Sequence, residues 1–250
     1  MITKFIQLLI AIFALIPLGC TGRDSGERPQ LLVAAAASLL KVSHPLEAAF
    51  QRSGAGEVTF SFASSGQLEQ QIRQGAPFDV YIPAAHSFSQ SLEQDGFVEG
   101  QAQLFALGRL AAWSRQFEME SLEELREDRI RRVAVANPRF APYGVAAQEA
   151  LQASGLWQAL QPKLVYGESV AHAFQMAETG NAEVALVAVA LVQDAGRPYL
   201  PIEQSLHRPI EQTAVVLRRS ENKQAAWAFV EFLSTAEARR ILEEYGFGLP

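Results

Sequence analysis

Two stretches, VAAAASLL at residues 33–40 and FSFASSGQL at residues 60–68, decide how this chain is read. In each, a short apolar run ends in small residues and a Ser, and a helical pattern begins at once. The small residues let another object approach the backbone closely. A Ser at a helix start presents its hydroxyl beside N–H groups that have no acceptor within the helix. The same terminus carries partial positive charge. One such junction reads as a simple N-cap or as an anion site. Two at the carboxyl ends of adjacent strands favour the second reading, because ligands of open α/β sheets bind there.

Outward from these junctions the pattern alternates strands with helices. Leu31–Ala36, Val58–Phe62 and Asp79–Pro83 read as strands, and Leu39–Gln51, Gly66–Gln74 and Ser87–Asp95 as helices. Pro45 falls inside the first of these helices, where a kink is expected. A second set follows. Leu107–Ser114, Val133–Ala136, Val165–Tyr166, Val184–Val189 and Thr213–Leu217 read as strands, and Leu122–Glu127, Gly144–Ser154, Ser169–Thr179, Lys223–Leu233 and Ala236–Tyr245 as helices, with Gly246 ending the last. Short strands separated by helices predict an α/β fold whose sheets are mostly parallel and covered on both faces. The simplest arrangement is two lobes joined by two crossings, outward near Leu107–Ser114 and back near Glu211–Leu217. Residues 30–108 with 213–250 would form lobe 1, and 109–212 lobe 2.

The first 19 residues read as a secretory signal: Lys4 supplies the positive start, and Phe5–Leu18 is apolar apart from Gln7 and Pro17. That run is too short to span a bilayer, which takes about 20 residues. Cys20, the only Cys, follows Gly19 in a setting that resembles a bacterial lipoprotein cleavage site, although Pro17 and Leu18 depart from the usual residues. The alternative is a plain secreted protein with an unused thiol. Residues 20–29 are polar and turn-rich and read as a tether. The location expected is the periplasm or the outside of the cell envelope, with attachment to the membrane surface if Cys20 is acylated.

With 21 Lys+Arg against 27 Asp+Glu and no long basic run, nucleic-acid binding is disfavoured, since neutralising phosphates takes clustered positive charge. One Cys excludes an internal disulfide and a Cys-based zinc cluster. The four His residues, His44, His86, His172 and His207, show no metal-ligand spacing. Ser38-Leu-Leu-Lys41 has the S-x-x-K form of penicillin-interacting serine enzymes, but the companion Ser-Asp-Asn and Lys-Thr-Gly strings are absent. Trp113, Trp157 and Trp227 fall on apolar faces and read as core. Glu123, Glu124, Glu127 and Asp128 read as a solvated face.

Two further junctions, NPRFAPYG at 137–144 and GESV at 167–170, also follow strands and open helices. Four such beginnings, two from each half, could converge on one cleft. Every donor there would be a hydroxyl or a backbone N–H, which suits a small oxyanion that is fully ionised. A protonated phosphate would also need an acceptor carboxylate, and Glu168 is the only obvious one close by.

AAAASL, SFASSGQL with QIRQGAPFDVYIPA, ANPRFAPYGVAAQEAL, HRPIEQTAVVL and AFVEFLSTAEARRILEEYGFGLP, in that order and spacing, resemble the molybdate/tungstate-binding proteins of bacterial ABC importers. The resemblance spans nearly the whole mature chain. It implies a type II periplasmic-binding-protein-like fold, two α/β lobes closing over the oxyanion about a hinge. It implies a monomeric, non-enzymatic receptor that needs no cofactor and delivers its anion to the membrane permease of an ABC transporter. By position, Ser38 and Ser65 match the two serines that give hydroxyl and amide, and Tyr143 and Val170 fall where backbone N–H groups are donated. Some members add a Tyr hydroxyl from the last strand of lobe 2, where this chain has Ala188, so anion choice stays open. Alternatives remain: a receptor for sulfate, phosphate or an organic anion, a hydrolase with Ser38 as nucleophile, and the sensing domain of a transcription regulator. The last is disfavoured by the leader and by the lack of a helix-turn-helix segment.

Overall fold

The computed structural model describes residues 29–250, so the leader, Cys20 and nearly all of the tether lie outside the described residues. Strand β1 (Gln30–Ala36) is followed by a 3-10 turn at Ala37–Leu39 and helix α1 (Ser43–Arg52). Strand β2 (Glu57–Ala63) feeds α2 (Ser65–Arg73), and β3 (Val80–Ile82) feeds α3 (His86–Gln94). A long strand β4 (Val98–Gly108) leads into β5 (Leu110–Trp113). Strand β6 (Val133–Ala136) opens α4 (Pro142–Ala153), and a short α5 (Trp157–Leu160) precedes β7 (Leu164–Gly167). Helix α6 (Val170–Glu178), β8 (Val184–Ala188), α7 (Val189–Val192) and the two-residue β9 (Leu200–Pro201) follow. Strand β10 (Ile210–Leu217), α8 (Lys223–Phe232) and α9 (Ala236–Glu244) close the chain.

The strands form two five-stranded sheets, in the orders β2-β1-β3-β10-β4 and β7-β6-β8-β5-β9. The two orders are the same pattern. In each sheet one strand runs antiparallel to its neighbours, β10 in the first and β5 in the second, and each is the strand that has just arrived from the other lobe. Four of the five strands in each sheet run the same way, but the pairings divide into two parallel and two antiparallel, so both sheets are mixed, and both are covered by helices. The crossings lie side by side: Gly108 pairs with Ile210, and Val189 N–H donates to the carbonyl of Arg109 at 2.9 Å. The carboxyl-terminal segment braces this hinge through reciprocal bonds of 2.8 Å between Leu107 and Gly248.

Strand β1 shows why the apolar run folds this way. Leu31, Val33 and Ala35 enter the core on one face with Phe50, Phe229 and Leu242, while Ala34 enters the core on the other face with Leu68, Tyr81 and Leu92. A strand buried on both faces has to be apolar throughout rather than alternating. Lobe 2 packs its own core around Trp113, Val135, Leu151 and Leu186. Trp157 and Trp227 pack against the cores from partly buried positions. The buried Asp79 carboxylate stitches lobe 1 together, accepting from Leu32 N–H at 2.8 Å and from the Ser220 hydroxyl at 2.6 Å.

Several local expectations change. The helix expected over Leu39–Gln51 is two elements, the 3-10 turn carrying Ser38 and α1 beginning at Ser43. Pro45 therefore sits in the first turn of α1, where its missing N–H would have had no intrahelical acceptor, so no kink is required. The segment over Leu122–Arg126 is a 3-10 helix rather than an α-helix. The strand expected at Leu107–Ser114 is the end of β4 and all of β5. Most of β4 has no strand signature in the sequence because it lies at a sheet edge, carries polar residues and Gly100, and pairs with β10 through two register shifts.

Candidate functional site

The four beginnings named from the sequence meet. Ser38, Ser65, Tyr143 and Val170 all line one small pocket between the lobes, together with Ser64, Ala84 and other small residues. Ser65 and Val170 are the first residues of α2 and α6, and Tyr143 the second of α4. In a helix's first turn, backbone N–H groups have no partner within the helix. None of the lining side chains is charged. Among the described residues no group of three His, Cys, Asp or Glu could hold a metal ion. Glu168 is exposed and is not among the lining residues, so the pocket offers no carboxylate to accept a proton. What it presents is hydroxyl and amide hydrogen.

The Ser65 hydroxyl is set as a donor by its surroundings. It accepts the Ala84 N–H at 3.0 Å, which occupies its lone pair and leaves its own proton free. The Tyr81 hydroxyl holds the Ser65 carbonyl at 2.8 Å. Burial, and to a lesser degree the nearby Glu69 charge, push the Tyr81 phenol well above its ordinary pKa, so it remains a neutral donor. Neighbouring Ser64 caps α2, its N–H and hydroxyl both donating to Gln67 Oε1 at 3.2 and 2.7 Å. The two serines of FSFASSGQL thus divide the work, one closing the helix end and the other facing the pocket.

Ser38 is fully buried, and its Oγ has no hydrogen-bond partner among the described residues. Neither His nor carboxylate stands within hydrogen-bond reach to take its proton. Lys41 turns away, its Nζ 5.2 Å from the ring centroid of Phe174 in lobe 2. The S-x-x-K string therefore does not assemble a nucleophile with its base. Ala188 ends β8, fully buried, and is not among the lining residues.

The lobes touch directly above the pocket. Gly66 N–H, in α2, donates to the carbonyl of Phe140 in lobe 2 at 2.9 Å. A Cβ on Gly66 would lie 3.2 Å from Phe140 Cα and from its carbonyl oxygen. On the hinge side, Arg208 donates to the Glu149 carboxylate of α4 through its N–H at 3.0 Å and its Nε at 2.7 Å. Burial pulls the Glu149 pKa up, but these bonds outweigh it and hold the carboxyl below its ordinary range. His207 is buried beside this hinge, its Nδ1 2.8 Å from the Arg208 carbonyl. His172 accepts the Glu168 N–H, and His44 is exposed beside Glu47. Ala84, Phe140 and Gly66 were not singled out from the sequence. Their roles are made by backbone atoms, which leave little trace in residue type.

Residues 31–248 match the bacterial extracellular solute-binding protein family, and the chain belongs to it. It is 36% identical over 222 residues to the molybdate-binding protein ModA of Rhodobacter capsulatus, covering 87% of this chain and 88% of that one. It is 32% identical over 232 residues to ModA of Azotobacter vinelandii, covering 90% and 92%. Its fold superposes on the Azotobacter vinelandii periplasmic molybdate-binding protein with a TM-score of 0.83 and 29% identity, over 88% of this chain and 99% of that chain. These relatives are solute-binding proteins rather than enzymes, and the family acts outside the cytoplasm.

Proposed function

We propose that this protein captures molybdate, or its near-isostere tungstate, between its lobes and delivers it to the membrane permease of an ABC importer. The observation that carries the reading is the donor-only pocket, in which two serine hydroxyls and the first N–H groups of helices from both lobes converge with no charged side chain among them. Ser38 and Ser65 contribute hydroxyl and amide, Tyr143 and Val170 backbone N–H. An anion that carries no proton of its own makes only accepted hydrogen bonds there, so each group finds a complement. The molybdate-binding relatives favour this oxyanion over sulfate or phosphate.

No covalent bond changes. Hydrogen bonds to a charged acceptor contribute about 1.5–3 kcal/mol each. Six or so, less the cost of ordering and closure, give roughly −12 kcal/mol, near nanomolar affinity. Because lobe 1 supplies the serines and lobe 2 the other amides, only the closed form satisfies the anion completely, and binding draws the lobes together. Selectivity over sulfate follows from cavity size and fixed donor positions, since the charges are equal. The protein acts as a monomer, and a lipid on Cys20 would tether it to the membrane surface. Mass spectrometry of the mature amino terminus tests that attachment.

A thermal-shift panel with molybdate, tungstate, sulfate and phosphate at equal concentration tests the function. A large shift with the first two alone is expected. A shift with sulfate alone would make this a sulfate receptor. No shift with any, joined to ester hydrolysis lost in Ser38→Ala, would make it an enzyme.

A further inference from the structure

Two buried hydroxyls belong to residues that line one pocket between the lobes, and among the described residues nothing is bonded to either. The Tyr143 ring reaches from α4 of lobe 2 toward the hinge, and its Oη, like Ser38 Oγ, is buried without a hydrogen-bond partner among those residues. Ser38 and Tyr143 line the same pocket, and no hydrogen bond closes between the two hydroxyls. The hinge strand makes room for the Tyr143 hydroxyl. A Cβ on Gly108 would collide with Tyr143 Oη and stand 2.9 Å from Ile210 Cγ2, so any side chain there would displace the ring. Leaving a buried donor and a buried acceptor both unsatisfied is costly, and proteins seldom keep such a pair without a use.

Ser65 shows what the use is. Its oxygen accepts a proton from Ala84 N–H, so its own proton is directed to the pocket. Ser38 has no backbone group doing this. We propose that the Tyr143 hydroxyl is its counterpart, a positioning residue that donates to Ser38 Oγ once Ser38 gives its own proton to the bound oxyanion. The chain runs from phenol to serine to anion. Each link polarises the next, so the serine becomes a stronger donor than it is alone. Tyr143 then acts twice, through its backbone N–H on the anion and through its hydroxyl on a residue of the opposite lobe. Closure and anion binding are coupled through one side chain. This inference rests on the oxyanion reading above and adds a residue to it.

Tyr143→Phe keeps the ring, its packing and the backbone N–H, and removes only the hydroxyl. Calorimetric titration with molybdate, in the full mature protein, should show affinity lower by about fivefold to tenfold, the worth of one net hydrogen bond. The decisive measurement is the double-mutant cycle. In the Ser38→Ala background, Tyr143→Phe should change affinity less than about twofold, whereas in the Ser65→Ala background its full cost should persist. A merely structural tyrosine would cost the same in all three. The melting temperature of the protein without anion should not fall in Tyr143→Phe, since the hydroxyl makes no bond there. Unchanged affinity in Tyr143→Phe, or an equal loss in the Ser38→Ala background, overturns the proposal while leaving molybdate binding intact. A parent protein that binds neither molybdate nor tungstate removes both together.

Discussion

Replacing Gly66 by Val perturbs closure without touching a proposed anion donor's side chain. Gly66 is the second residue of α2, and its N–H bonds to the Phe140 carbonyl of the other lobe at 2.9 Å. The first carbon of any side chain would already stand 3.2 Å from Phe140 Cα and carbonyl oxygen, and 3.4 Å from Phe88 Cε1. Two further methyl groups have no space unless the lobes part. The closed form then loses a backbone hydrogen bond, about 0.5–1.5 kcal/mol net. It also meets overpacking, which typically costs about 1–3 kcal/mol. Together these disfavour closure by roughly 2–4 kcal/mol, and apparent affinity falls with the closed population, by about 30-fold or more. The open protein keeps its helix, because Gly66 does not need the left-handed backbone and Val fits an α-helix at least as well as Gly; only the Phe88 ring of α3, in the same lobe, has to give way there. Calorimetry with molybdate reads the affinity, small-angle scattering the opening, and denaturant unfolding without anion the stability. Gly66→Ala should give a smaller loss in the same direction. Affinity for molybdate within twofold of the parent in Gly66→Val, with stability unchanged, would refute the closure argument.

Ser65→Ala should weaken molybdate binding more than about tenfold and leave the circular dichroism spectrum unchanged, since it removes a charge-assisted bond from a buried donor. Equal affinity would exclude the Ser65 hydroxyl from the site. Asp79→Ala strands the Leu32 N–H and the Ser220 hydroxyl in the core of lobe 1. Urea unfolding should show a loss of about 3 kcal/mol, and a loss below 1 would contradict the buried-polar reasoning. Acid should weaken the fold through Glu183. Burial pulls this carboxyl up, but the N–H groups of Arg132 and Arg131 and the Arg132 guanidinium outweigh that and hold it below the ordinary 4.5. A carboxylate so lowered contributes stability that is complete above its unfolded value and is lost as pH falls through its folded one. Glu183→Gln should therefore flatten the fall of melting temperature below about pH 4.5, and an unchanged slope would remove Glu183 from the acid response. Gln212 is fully buried in β10 with both amide atoms unpartnered. Gln212→Met should leave the melting temperature equal or higher, and a clear drop would mean the amide is bonded after all.

The alternation of apolar runs with helical periods was enough to read two α/β lobes, because β1, β6 and β8 are buried on both faces and only unbroken apolar runs survive there. The junction serines were legible for a related reason, since a Ser after small residues at a strand end has few structural uses. Edge strands were less legible. Strand β4 carries polar residues toward solvent and bends through register shifts, and β9 is two residues long, so neither has a periodic signature. The 3-10 turn at Ala37–Leu39 also escaped, because local spacing does not distinguish it from the first turn of a longer helix.

The order of residues by itself determined which groups could donate to an anion and that each half of the chain would bring two helix beginnings. Only the tertiary structure decided that these meet in one uncharged pocket, that Ala84 N–H orients Ser65, and that Gly66 and Phe140 bond across the lobes. It alone placed the Tyr143 hydroxyl against Gly108, on the residue that lines the pocket together with Ser38. The reason is physical. Helix starts and buried strands are set by neighbours a few positions away. Contacts between backbone atoms more than 70 residues apart depend on how two separately folded sheets are set about a hinge, and a backbone amide looks the same in every residue.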